Sequence, residues 1–320
     1  MMAKTMYVAV GLALIGGATL GAPRLVSHGL AAHSRVRPQD IVGYAEAEAA
    51  TRAEGMQRNY DAIQHLIAEV EYKQVTAEDK TTRRFLMKYV APQTAYFEDL
   101  STSFAPATAD YDYEATMPRI RTWTDGREIR LAAVRGDSAS SAEEILTAQI
   151  LPAAGNNTDR RGFDGRHPLS AIRGSGPIVI NWKQLRTAAE SGRTLRAGPE
   201  RQFGVRGFGF LFEDGNKRDL YYWIDDVHGF LPRIVTYRSA GKNTMELRIE
   251  TVAKAGDAWI PTHMTRRVEH EDGSTIQGDM RVLSFDADTK LSPEDLELQF
   301  PPGTLVIDHI RSTQYTVEQQ

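Results

Sequence analysis

The chain has 320 residues, with 38 Lys and Arg set among 42 Asp and Glu, a formal charge of −4 and a pI near 6.1. Its basic residues are spread rather than gathered into one block, which argues against nucleic acid as a partner. There is no cysteine, and this excludes disulfides, thiolate zinc sites, iron–sulfur clusters, cysteine nucleophiles and a lipid-modified N-terminal cysteine. The balance of 41% hydrophobic and 25% charged residues suits a globular protein with a real core.

In chain order, Lys4 supplies a short positive region, and residues 6–22 form an unbroken apolar or small run that ends at Pro23-Arg24. Residues 1–32 therefore read as a signal peptide, cut after Ala22 or after Ala31 with Gly29 at the −3 position, or else as a retained N-terminal membrane anchor. Either reading exports the rest. Residues 33–320 are expected to form a single domain with an irregular insertion near 137–200.

Between Pro38 and Ala68, apolar Tyr44, Ala45, Ala49, Met56, Tyr60, Ile63 and Ile67 recur at helical spacing, with Asp40 as a candidate cap and charged residues between them. This predicts a long helix laying one stripe on a sheet. From Ile67 the period changes to two. Strands are expected at Ile67–Val75, Arg84–Tyr89 and Thr94–Asp99, and then at Arg119–Thr124 and Glu128–Val134 around the hairpin signal Asp125-Gly126. Residues 101–118 read as a loop. Asp137–Ile150 reads as a helix, residues 151–176 as an excursion outside the sheet, and Asn181–Ser191 as a short helix ended by Gly192.

The remainder reads as almost wholly β. Gly204–Glu213, Asp219–Ile224, Pro232–Arg238, Thr244–Lys254, Ala258–His270 and Ser274–Asp286 are six predicted strands linked by short Gly- and Asp-containing turns, the pattern of an antiparallel meander. Phe208, Phe210 and Phe212 share one face of their strand by period-two geometry, as do Tyr221 and Trp223 on theirs. Met245, Leu247 and Ile249 alternate with Glu246, Arg248 and Glu250, giving one dry and one wet side.

Signals for catalysis are weak. Gly204, Gly207 and Gly209 lack the spacing and following helix of a dinucleotide fingerprint, and are read as permitting curvature or a bulge. His228 beside Asp225 and Asp226 reads as a turn of solvated polar residues, because no further ligand spacing supports a metal. No serine sits in a nucleophile elbow, and no motif selects a cofactor or metal site.

Several fragments together resemble a known family. They are Tyr221-Tyr222-Trp223-Ile224-Asp225, Gly229-Phe230-Leu231-Pro232, Ala258-Trp259-Ile260-Pro261, Phe300-Pro301-Pro302-Gly303-Thr304-Leu305-Val306-Ile307-Asp308, and the earlier Trp123-Thr124-Asp125-Gly126. With a leader and a long first helix ahead of a meander, this layout is similar to the lipoprotein carrier (LolA/LolB-like) superfamily, in its branch of uncharacterised bacterial envelope proteins. The resemblance spans about residues 40–315 and leaves the stretch from 151 to 200 unmatched.

It implies a mostly β, α+β fold: a curved antiparallel half-barrel with an N-terminal helix and short helices on its concave side. It also implies a non-enzymatic envelope or periplasmic protein without cofactors. A lipid or lipoprotein acyl chain would occupy an apolar cavity lined by Phe208, Phe210, Phe212, Tyr221 and Trp223. Membrane contact would be transient or through the anchor. The alternative is an envelope sensor or scaffold binding a protein partner through the same fold. A continuous apolar tunnel favours the first, and a filled core favours the second.

Overall fold

The computed structural model describes residues 38–77, 79–92, 94–100, 119–135, 144–152, 182–191, 193–213, 219–239, 242–270 and 272–318. The expected leader and the expected loop at 101–118 lie outside them, as does most of the expected excursion after residue 151.

Helix α1 runs Pro38–Asp61. Its buried positions are Ala45, Ala49, Ala53, Met56 and Tyr60, spaced three and four residues apart, so the stripe that meets the sheet is made mostly of methyl groups. The helix is shorter than the sequence suggested. A turn closes it, with Ala62 N–H donating to the Arg58 carbonyl at 3.0 Å and Ile63 N–H to that of Tyr60 at 3.0 Å. The chain then enters β1, His65–Val75, where Leu66, Ala68 and Val70 are all buried. Alternating burial from this point overrides the helical reading of Ile63 and Ile67.

The strands that follow are β2 (Lys80–Val90), β3 (Thr94–Asp99), β4 (Arg119–Thr124), β5 (Glu128–Arg135) and β6 (Glu144–Pro152). Helix α2 spans Trp182–Ser191, and β7 spans Arg193–Gln202. Then come β8 (Val205–Glu213), β9 (Asp219–Asp225), β10 (Pro232–Ser239), β11 (Lys242–Ala255), β12 (Ala258–Glu269) and β13 (Thr275–Asp286). A single 3₁₀ turn at Glu294–Leu296 precedes β14 (Leu305–Asp308) and β15 (Thr313–Thr316).

Among the described residues, fifteen strands form one open, curved sheet ordered β15-β14-β6-β5-β4-β3-β2-β1-β13-β12-β11-β10-β9-β8-β7. Both halves are meanders, joined where β1 pairs antiparallel with β13. The expectation of a mostly β α+β fold of half-barrel type therefore holds, with the six strands from 204 to 286 consecutive in the sheet. Two further features differ from the sequence reading. The expected helix at Asp137–Ile150 is, over its described part, strand β6, bracketed by β5 on one side and by β14, in parallel, on the other. Its Glu-Ile-Leu-Thr-Ala-Gln-Ile-Leu run fits either period, and two strand neighbours decide it. Strand β7 falls in the region that the resemblance left unmatched.

Apolar side chains cover both faces of the sheet. Phe85, Met87, Tyr89, Ile249, Ile260, Met264 and Met280 pack with Tyr60 and Ile63 on one face. On the opposite face, the segment after β13 crosses β2 to β5 and sets Leu296 and Leu298 against Val90, Trp123, Ala132 and Val134. That segment ends in β14, whose Val306 is fully buried beside Ala148 and Ile150.

Gly207 shows how closely the strands are fitted. A Cβ there would lie 2.3 Å from the Ile224 carbonyl oxygen and 2.5 Å from the Trp223 ring, whereas one at Gly198 would meet nothing within 4 Å. Gly207→Ala is expected to lower the free energy of urea unfolding by about 1–3 kcal/mol. Gly198→Ala is expected to change it by less than about 1 kcal/mol. Equal values for the two would show that the indole does not need this space.

Candidate functional site

Strand register decides which of the expected ligand-lining aromatics share a wall. Phe208 pairs with Ile224, Phe210 with Tyr222 and Phe212 with Leu220, whereas Tyr221 pairs with Leu211 and Trp223 with Gly209. Partners across a ladder lie on the same side of the sheet. Phe208, Phe210 and Phe212 therefore share a face with Tyr222, and Tyr221 and Trp223 project from the other. The five residues expected to line one cavity do not converge, and Tyr222 belongs where Tyr221 and Trp223 were placed. Alternation within one strand says which residues face alike. Only the register says which strands' sets coincide.

The face with the phenylalanines carries a row of rings. Phe208 and Phe210 have centroids 4.7 Å apart, Phe210 and Phe212 stack at 5.7 Å, and Tyr222 meets Phe212 edge-on at 6.4 Å. Tyr44 of α1 extends the row at 6.1 Å from Phe208. Ala49, Ala53 and Met56 of α1 and Leu185 and Ala189 of α2 cover it. Burying rings of this kind contributes about 1.5–3 kcal/mol each. The three phenylalanines are all buried to within 2%, so this layer is filled.

The Tyr222 hydroxyl is buried in this layer with no hydrogen-bond partner among the described residues. Burial pushes its pKa far up, with the neighbouring Tyr237 adding to the effect. An unmet buried hydroxyl costs about 1–3 kcal/mol.

On the other face, Tyr221 belongs to a polar ladder. Its hydroxyl donates to Glu200 Oε2 at 2.8 Å and accepts from Gln202 Nε2 at 2.8 Å, while Arg196 Nη2 donates to Glu200 Oε1 at 3.0 Å. Burial and then the Glu200 carboxylate push the Tyr221 pKa up. Trp223 is fully buried over Gly207, with Phe203 5.7 Å away and the Arg233 guanidinium 4.2 Å from the Phe203 ring.

The turn between β9 and β10 is only partly solvated, although its composition suggests a turn of solvated polar residues. Asp225 is fully buried. Its Oδ1 accepts from the N–H groups of Val227 and His228 at 2.8 and 3.1 Å. Its Oδ2 lies 2.7 Å from His228 Nδ1 and accepts from Arg233 Nη1 at 3.2 Å. Arg233 also donates to the carbonyls of Ile249 (2.8 Å) and Glu250, so one carboxylate ties the turn to β11 through a buried cation.

This turn receives α1. Arg52 Nη2 donates to Asp226 Oδ2 at 3.1 Å, its Nε stands 3.0 Å from Oδ1, and its guanidinium lies 4.0 Å above the Phe208 ring. Gly229 and Phe230 adopt positive φ of 68° and 56°. A Cβ on Gly229 would meet the Asn59 side chain at 2.3 Å, and one on Gly55 would meet the Phe230 ring at 2.2 Å. Asn59 also donates to the Trp259 carbonyl at 2.9 Å and accepts from the Trp259 N–H at 2.8 Å. The β12–β13 ladder begins at His263, so the Asn59 amide fills the place of a neighbouring strand beyond it. His228 packs edge-on to Trp259 with centroids 4.6 Å apart.

Among the described residues, no group of three or more His, Cys, Asp or Glu could hold a metal ion, and no helix is long and apolar enough to cross a membrane.

No family model and no curated protein sequence matches this chain. Solved structures do. A DUF1329 family protein from Desulfovibrio piger aligns at 13% identity and a TM-score of 0.46, covering 79% of this chain and 97% of its own. A putative outer membrane lipoprotein-sorting protein domain from Vibrio parahaemolyticus aligns at 15% identity and a TM-score of 0.43, covering 78% and 97%. A LolA superfamily protein from Nitrosomonas europaea aligns at 11% identity and a TM-score of 0.39, covering 77% and 97%.

Removing one member of the Asp225–Arg233 pair leaves the other buried and uncompensated. Asp225→Ala is expected to cost about 3–5 kcal/mol in urea unfolding. The double variant Asp225→Asn, Arg233→Met is expected to recover at least half of that loss. A single-variant loss below 1 kcal/mol would show that the pair does not organise the turn.

Proposed function

We propose that the protein is an exported, non-enzymatic binding protein of the cell envelope, which takes an acyl chain of a lipid or lipoprotein between its helices and its aromatic strand face. The observation that carries this reading is the unmet Tyr222 hydroxyl, buried at the end of the Phe208–Phe210–Phe212 row. A largely apolar wall with buried, unpaired hydroxyls at Tyr222 and at Thr194, which pairs with Phe212, suits a chain of methylenes ending in an ester or carboxyl oxygen. Each methylene buried there contributes about 0.8 kcal/mol.

The layer is filled by α1 and α2, so on this reading the helices are the cover that a ligand displaces. Their contact with the rings is made through Ala49, Ala53 and Ala189, which bury little area each, together with the larger Met56 and Leu185. The site proposed here keeps Phe208, Phe210 and Phe212, adds Tyr222, and leaves out Tyr221 and Trp223. Export rests on Lys4 and the apolar run that follows it. Membrane contact, transient or through that run as an anchor, follows from the same reading.

One observation favours the alternative, an envelope sensor or scaffold binding a protein partner. The three phenylalanines are covered by α1 and α2 in this conformation, and two grooves among the described residues, of about 480 and 320 Å³, are lined chiefly by polar and charged side chains.

Tyr222→Phe separates the two readings, because it removes the orphaned hydroxyl and keeps the ring. It is expected to stabilise the ligand-free protein by up to about 1 kcal/mol. It is also expected to weaken binding of a fluorescent fatty acid at least threefold. Wild-type protein that binds no fatty acid, and co-purifies with none in native mass spectrometry, would transfer the function to the protein-partner reading.

A further inference from the structure

The face opposite the phenylalanine row carries a second feature that the acyl-chain reading does not use. Strands β2, β1, β13, β12 and β11 are consecutive in the sheet. Lys80 pairs with Val75, Val75 with Gln277 and Gln277 with Arg267, so Lys80 and Arg267 lie in one row across it. In the next row Lys73 pairs with Asp279, Asp279 with Thr265 and Thr265 with Arg248. Arg281 stands opposite Glu71 in the third. Each of the five strands thus presents at least one cation to the same face. Strands are spaced about 4.8 Å apart, so the five cations span roughly 19 Å.

These side chains line the groove of about 480 Å³, together with the carboxylates of Glu246 and Asp279. Arg266 also borders it, from a position of opposite parity. With Glu71 and Glu269, which pair with Lys73 and Arg267, the carboxylates near the five cations number four, and Arg266 adds a further cation at the border. Four of the five have a carboxylate near them: Lys73 with Glu71 at 2.6 Å, Arg248 with Glu246 at 3.2 Å, Arg267 with Glu269 at 3.8 Å and Arg281 with Asp279 at 3.0 Å. Those four cations are 41–61% exposed, and ion pairs at such positions contribute about 0–1 kcal/mol. The carboxylates hold the cationic heads in place without withdrawing them from a stronger, multivalent anion. Lys80 has no ion-pair partner among the described residues.

We propose that this groove binds a phosphate-bearing polyanion laid across the strands. The spread of cations exceeds what one phosphate needs and matches several phosphates carried on one molecule or on neighbouring lipid head groups. Guanidinium groups from three strands supply forked donors, and Lys73 and Lys80 supply point charges at one end. The site lies on the other side of the sheet from the proposed acyl-chain layer and does not depend on it.

The test uses the full chain and two probes at 20 mM NaCl. Inorganic tripolyphosphate is titrated calorimetrically. Vesicles of phosphatidylcholine, with and without 30% phosphatidylglycerol, are used in co-sedimentation. Wild type is expected to bind at least one probe, with binding lost at 0.5 M NaCl because exposed charges are screened. The variant Lys73→Gln, Arg248→Gln, Arg267→Gln is expected to bind that probe at least tenfold more weakly, and Lys80→Gln two- to threefold more weakly. Both variants should keep the wild-type thermal midpoint within a few degrees. Tripolyphosphate alone identifies a soluble ligand, and phosphatidylglycerol vesicles alone identify membrane head groups. Failure of the wild type to bind either probe, or unchanged binding by the triple variant, would overturn the proposal.

Discussion

The buried carboxylate of Asp225 is the interaction on which the covered face depends. It bonds the two N–H groups that close the β9–β10 turn, and it compensates Arg233, whose other donors reach the carbonyls of β11. The turn held in this way presents Asp226 to Arg52, and Gly229 and Phe230 to Asn59 and Gly55. The helix is thereby pinned at one place along its length, through side chains in its second half. A buried ion pair of this kind is weak evidence for net stability, since desolvation offsets much of the attraction. Its consequence here is positional, because the carboxylate holds the turn's N–H groups, His228 and Arg233 around one point.

Pinning one part of α1 leaves the rest held by small contacts. Toward its N-terminal end the helix meets the sheet through Ala45 and Ala49, and Tyr44 is 49% exposed. An alanine stripe packs closely and buries little area, so lifting it costs less than lifting a leucine stripe. A cover fastened near residues 52–59 and lightly seated before them is the arrangement that the proposed binding layer requires. The reverse face differs in kind. It is braced by Leu296 and Leu298 at one end and carries a polar groove nearer the middle, so the two sides of one sheet are suited to chemically different ligands.

Much of this was legible in the amino-acid sequence. The strands from 204 to 286 declare themselves because Gly- and Asp-containing turns recur between alternating runs, and an antiparallel meander needs only local pairing. The fragments that carry the family resemblance now have physical roles. Asp225, Gly229, Phe230 and Trp259 dock the first helix, and Val306 joins the last strands to β6. What could not be read has equally specific causes. Residues 144–152 fit both periods, and a parallel neighbour more than 150 residues later selects the strand. Tyr221 and Trp223 were grouped with the phenylalanines because alternation within a strand carries no register between strands. Asp225 beside Asp226 looked like a wet turn, because its buried cation lies eight residues on and fits several other roles.

Hydrogen–deuterium exchange across α1, with and without a long-chain fatty acid, reads out whether the first half of the helix is a displaceable cover. Amides of residues 45–51 are expected to exchange at least tenfold faster than those of residues 56–61 in the ligand-free protein. Adding fatty acid should change exchange in that first half and in α2, and leave β11 to β13 unaltered. Exchange equally slow along the whole of α1, and unmoved by fatty acid, would make the helix a permanent part of the core and contradict the claim.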